Sequence, residues 1–142
     1  MTQQHKPANP FEQQLGLKPA SSRLGLLKRI EQGFEYSIIP YTKQWLGITM
    51  AELSELMNVN PRTLVRRRKS GRLNKLESAQ LYQLAMLVEL AIEVIQDRAA
   101  ALYWLKTPKR DLEGKVPLDF VQTQVGIDEV KMLLMRIKKR SD

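Results

Sequence analysis

Apolar residues recur at helical spacing along most of the chain, and no segment keeps the two-residue alternation of a half-buried strand. The pattern predicts an all-α fold of some eight helices. From Ser22 a short amphipathic segment with Leu24, Leu27 and Ile30 runs to Gly33, which has the position of a C-terminal cap. Ser37 is placed to cap a second helix reaching Trp45 and Leu46, with Pro40 in its first turn, where a missing N–H is tolerated. Thr49-Met-Ala-Glu52 is a capping-box pattern, so a helix starts at Met50 and sets Leu53, Leu56 and Met57 on one face. Asn58-Val59-Asn60 interrupts it. Asn60 before Pro61 then restarts a helix, because the Asn side chain serves the first amides and the proline's fixed φ suits the first helical position; that helix stops at Gly71.

Leu76 to Gln96 is the longest periodic stretch, with Leu81, Leu84, Leu87, Val88, Ala91, Ile92 and Ile95 on one side and Leu90 and Val94 on another. Such a helix is expected to be buried on more than one side, joining two halves or lying in a subunit interface. A further helix spans Ala99 to Lys106 and ends before Pro108, a polar loop with Gly114 follows, and Pro117 opens a short helix to about Thr123. A last amphipathic helix over Ile127–Lys138 carries Val130, Leu133, Leu134 and Ile137. Residues 1–20, with three prolines and little periodicity, read as a disordered or loosely docked arm.

Composition narrows the chemistry. The 142 residues suit one domain or two small ones sharing a core, and 40 of them are Leu, Ile, Val or Phe, enough to drive folding. With no cysteine, disulfides, thiolate metal sites and thiol nucleophiles drop out; with His5 as the one histidine, imidazole catalysis and paired-histidine metal sites do too. The acids are scattered, and no nucleophile–base pair or phosphate-cradling glycine loop is present, so no enzyme, metal or cofactor is expected. Glu89 and Glu93, four residues apart, read as the polar strip of the long helix. The start lacks a signal peptide's apolar core, and the longest uncharged apolar-rich run, Ser78 to Val88, falls short of the ~20 residues of a membrane span. The expectation is a soluble, cytoplasmic protein with no membrane partner.

The charge is placed unevenly. The net charge is +8, and between Leu56 and Leu76 lie seven basic residues and no acid, which favours a dedicated anion-binding element. Two short helices joined by a three-residue break, the second ending in Arg66-Arg67-Arg68-Lys69, match the spacing of a helix-turn-helix. Leu53, Met57, Val59 and Leu64 fall at its apolar packing positions and Ser54 at its small one. Asn58 takes the turn position usually given to glycine, and asparagine tolerates positive φ. With Leu64 inward, Arg62, Val65, Arg66 and Lys69 face outward. Arg62 and Arg66 suit bidentate contacts to guanine, Val65 a thymine methyl, and Thr49, Asn60, Thr63, Arg67 and Lys69 the phosphates of double-stranded operator DNA.

A second cluster runs from Ala101 to Phe120. Its apolar members Trp104, Leu105, Leu112, Leu118 and Phe120 read most simply as core, with Pro108 and Gly114 as turn punctuation. The order of elements also resembles the C-terminal toxin-binding domain of the Xre/MbcA/ParS antitoxin family: Trp104-Leu105, Pro108, Leu112-Glu-Gly114, Pro117-Leu118, Gly126, then a final amphipathic helix with Val130, Leu133 and Ile137. Leu64 to Arg68, Gly71-Arg72-Leu73 and Glu77-Ser78 resemble the same family's recognition helix and the entry to its connecting helix.

The resemblance, over about residues 24–138, implies a type II antitoxin that neutralises a RES-domain, NAD-degrading toxin and represses its own operon as a homodimer. It implies an Xre-like helix-turn-helix domain over 21–75, a connecting and dimerisation helix over 76–97, and a toxin-binding domain over 98–142. Toxin contacts are expected at Trp104, Leu112, Ile137, Lys138, Lys139, Arg140, Ser141 and Asp142, since such antitoxins block the toxin with the end of the last helix and the tail. Relatives often carry a glycine just after that helix, where this chain is basic. A basic tail suits a toxin carboxylate, whereas Asp142 and the terminal carboxylate suit a phosphate-binding subsite. The competing class is a stand-alone helix-turn-helix repressor with a helical dimerisation domain and no toxin.

Overall fold

The structure is a computed structural model describing residues 23–141; the expected N-terminal arm and Asp142 lie outside the described residues. The chain order is α1 Arg23–Gln32, α2 Ile38–Leu46, α3 Met50–Leu56, α4 Pro61–Ser70, α5 Lys75–Ile95, α6 Arg98–Leu105, two 3-10 turns at Arg110–Leu112 and Pro117–Phe120, and α7 Gln124–Ser141. The fold is all-α. Pairing between extended segments is limited, among the described residues, to isolated bridges joining Glu35 to Arg72 and Lys109 to Lys115.

α5 is the organising element, packing against α1, α6 and α7. Leu81, Leu84, Ala85, Leu87, Val88 and Ala91 form its covered face, while Tyr82, Met86, Leu90 and Val94 are half-buried and Leu76 is exposed. Its 21 residues are long and apolar enough to cross a membrane by length and composition, which the uncharged run Ser78–Val88 does not suggest. Here its apolar stripe is the core contact of a helical fold, and its first turn carries Glu77 in an ion pair.

The helix starts follow local chemistry. Thr49 Oγ1 accepts from the Glu52 N–H at 3.1 Å and Glu52 Oε1 accepts from the Thr49 N–H at 3.0 Å, so the expected capping box of α3 is formed. Asn60 Oδ1 accepts from the Arg62 N–H at 2.8 Å with Pro61 at the first position of α4. A second capping box, Asn74 with Glu77, opens α5. Ser37 does not cap α2 with its side chain: its backbone is already helical, and turn bonds from Ile38 to Glu35 and from Ile39 to Tyr36 start the helix.

Three further expectations change. The short helix from Pro117 is a 3-10 turn ending at Phe120. α7 begins at Gln124, because Thr123 Oγ1 accepts from the Gly126 N–H at 3.0 Å, a signal that apolar spacing starting at Ile127 does not carry. Of the stripe on α1, Ile30 packs on the core while Leu24 and Leu27 are exposed.

Candidate nucleic-acid interface and partner-binding face

α3 and α4 form the helix-turn-helix. Leu53, Met57 and Leu64 are fully buried, Val59 packs on them half-buried, and Ser54 is buried with its hydroxyl donating to the Met50 carbonyl. Asn58 adopts φ +56° at the turn, the conformation a glycine takes without cost and asparagine tolerates. α4 rests on the body through Leu64, its one fully covered side chain. Ten residues make it about 15 Å long, matched to a major groove about 12 Å wide.

Opposite Leu64, Arg62, Val65, Arg66 and Lys69 are exposed. Among the described residues no carboxylate lies within ion-pairing distance of Arg62, Arg66, Arg68 or Lys69. Arg66 is steadied by its own helix, donating to Thr63 Oγ1 at 3.3 Å, and Asn60, Pro61, Arg62, Thr63, Val65 and Arg66 line a shallow open concavity. Thr49 and Asn60 are both engaged as caps through their side-chain oxygens.

Arg67 takes a different place from the one expected. It lies one turn along the flank of Leu64 and points toward the body, where its Nε donates to Glu77 Oε1 at 2.9 Å and its terminal nitrogen to Oε2 at 3.2 Å. Hydrogen bonding to the Glu77 carboxylate raises the Arg67 pKa further.

The C-terminal elements pack against the ends of the helix-turn-helix half. Lys106 Nζ donates to the Leu46 carbonyl at 2.7 Å, Arg98 donates to the Trp45 carbonyl, and Gln122 donates to the Glu55 carbonyl at 2.7 Å. The Trp45 and Leu46 carbonyls at the end of α2 thus receive donors from the two ends of α6, and the Glu55 carbonyl of α3, which already accepts from the Asn58 N–H, takes a second donor from the turn before α7. At Gly126, α7 passes so close to the Phe120 carbonyl that a Cβ would collide with it.

On the outer side of this half, Trp104 is half-buried with Lys109 Nζ 4.8 Å from its ring centroid, and burial lowers the Lys109 pKa. Leu112 is only 5% exposed; it holds the first 3-10 turn onto the core, so in this chain it is a support and not a surface contact. Ile137 is half-buried against the core, and Lys138, Lys139 and Arg140 are exposed on the last turns of α7. Ser141 ends α7; its side chain, like Asp142, lies outside the described residues.

Two comparisons bear on this arrangement. The antitoxin Xre-like helix-turn-helix domain matches residues 25–86, and the antitoxin Xre/MbcA/ParS C-terminal toxin-binding domain matches residues 90–140. The chain belongs to the Xre/MbcA/ParS antitoxin family. It is similar to Antitoxin Xre of Yersinia enterocolitica, 29% identical over 88% of this chain and 85% of that one. It is also similar to Antitoxin Xre of Photorhabdus laumondii, 24% identical over 96% of this chain and 94% of that one. As an antitoxin of this family the protein carries both of its domains, and the two matches meet inside α5, the helix both halves use as core.

Sequence reasoning missed several exposed apolar side chains on this antitoxin's C-terminal half: Tyr103, Val125, Met132 and Met135. Met132 and Met135 share an outward strip of α7 with Asp128, Lys131, Arg136 and Lys139. The signal was present, since these residues recur at helical spacing opposite Val130, Leu133 and Leu134, but methionine there reads equally well as the edge of the core stripe.

Proposed function

We propose that this antitoxin neutralises a RES-type, NAD-degrading toxin through its C-terminal half and represses its own operon, as a cytoplasmic homodimer, through the outward face of α4. The observation that carries the reading is that one shared core presents two separate exposed surfaces, one on α4 and one on the C-terminal elements. Among the described residues no carboxylate pairs with the cationic face of α4, while the Trp104–Lys109 region and the exposed strip and basic end of α7 belong to the half assigned to toxin binding. Arg62 and Arg66 serve base edges, Val65 a thymine methyl, and Asn60, Thr63 and Lys69 the phosphates, with Thr49 as a further phosphate contact through its hydroxyl donor. The half-covered face of α5, with Leu76, Ala79, Met86 and Leu90 at intervals of three, seven and four residues, supports pairing with a second copy through that helix.

The test is co-purification of the untagged product of the adjacent gene with this chain, followed by NAD consumption by that product alone and in complex. Consumption that stops in the complex, and returns when the antitoxin is truncated after Leu134, supports the reading. An adjacent gene product that neither binds nor consumes NAD overturns it in favour of a stand-alone repressor.

A further inference from the structure

Resting on the reading of α4 as a DNA-contacting helix, we propose that Glu77 is a positioning residue for that contact. By gripping Arg67 it fixes the rotation of α4 about Leu64, and it withholds Arg67 from sequence-independent phosphate binding.

Few side chains hold α4 against the body. Leu64 is its only fully buried side chain, so between its two tied ends few side-chain contacts set its rotation. Each residue advances a helix by about 100°, so Arg67 sits roughly 60° from Leu64 and faces well away from the Arg62–Arg66 direction. It is placed for a second anchor, and Glu77 supplies one. The Glu77 side chain is 5% exposed, and a carboxylate that deep requires partners. Its Oε1 accepts from the Asn74 N–H at 2.8 Å and from Arg67 Nε at 2.9 Å, and its Oε2 accepts from Arg67 Nε and the terminal nitrogen, both at 3.2 Å. The planar guanidinium held by both oxygens constrains orientation as well as distance.

Glu77 is itself held by its own helix start. It is the third residue of α5, locked in the capping box with Asn74, and the adjacent Ser78 hydroxyl accepts from the Phe34 N–H at 2.9 Å. The end of α4 is tied to the same place through the backbone: the Tyr36 N–H donates to the Gly71 carbonyl, and the Leu73 N–H to Phe34. The Arg67–Glu77 pair is thus the link from the rigid N-terminus of α5 to the body of α4. Removing the Glu77 charge has two separable consequences. α4 loses its rotational stop, and a guanidinium on the basic helix becomes available to any phosphate.

The experiment uses the full chain and two duplexes of equal length, one spanning the region upstream of its own gene and one a scrambled version. Affinity is measured across a salt series for wild type, Glu77→Gln and Arg67→Gln, with circular dichroism confirming helical content. Glutamine keeps the Asn74 bond and the side-chain size, so Glu77→Gln removes chiefly the charge. The expected result for Glu77→Gln is about a tenfold fall in the ratio of specific to scrambled binding, on the scale of one misdirected bidentate contact. Its log K against log salt slope steepens by about one per protomer as Arg67 joins the phosphate contacts. Arg67→Gln is expected to lose the same ratio without the steeper slope. If Glu77→Gln fails to fold, Arg67→Gln, changed on the exposed side of the pair, decides. A discriminating wild type with variants of unchanged ratio and slope overturns the proposal, whereas a wild type that does not discriminate overturns the DNA reading itself.

Discussion

At the scale of single residues, the basic run of α4 divides by direction, and each direction has its own consequence. Arg62 and Arg66 project from the face opposite Leu64, so replacing either with alanine should relax base preference at one position by about 1–3 kcal/mol, measured as binding to single-base variants of the operator. Lys69→Ala should weaken binding to all sequences alike and make the salt slope shallower by about one. Leu64→Ala should cost about 2–5 kcal/mol in denaturant unfolding, since Leu64 is fully buried and its truncation leaves a cavity beneath the helix. The direction of Arg67 was within reach of the sequence, because it follows from the helical angle once Leu64 is set inward. Its partner was not. Glu77 lies ten residues on, in another helix, and local spacing says nothing of how the two helices meet.

Among the elements, one capping box opens the helix-turn-helix at Thr49 and a second opens α5 just after it at Asn74. The Thr49 amide and hydroxyl hold the Glu52 carboxyl below its ordinary pKa, and its contribution to stability follows from that sign: fully present above the unfolded carboxylate pKa, lost as pH falls through the depressed folded value. Glu52→Gln should therefore flatten the decline of stability on the acid side, below about pH 4.3, in urea melts taken at successive pH values. Because Glu52 is fully exposed the change is small, and Thr49→Ala, which also removes an N-cap acceptor, should cost more, about 0.5–2 kcal/mol. Helix identity was legible wherever a cap and an apolar period agreed, as at Thr49-Met50 and Asn60-Pro61. It was not legible at Ser37, where turn bonds to Glu35 and Tyr36 replace the side-chain cap, or at Pro117, where four residues close into a 3-10 turn.

Taken whole, the molecule is two halves sharing α5 and clasped across their ends. Side chains 53 to 67 residues downstream serve the last carbonyls of α2 and α3, an arrangement with no local signature that the sequence could not reveal. Such a shared core should unfold in one transition by circular dichroism and fluorescence alike, and Lys106→Ala should lower the unfolding free energy by about 1 kcal/mol or less without splitting the transition. Truncation after Leu134 keeps every fully buried position of α7 and removes the exposed basic end, so operator affinity should persist while neutralisation is lost. The decisive measurement is the affinity of the intact antitoxin for an inverted-repeat operator between 50 and 200 mM salt. A dimer laying α4 against about 6–10 phosphates should lose 10³–10⁵-fold over that range. A flat response would mean that the exposed cations of α4 do not meet the DNA backbone.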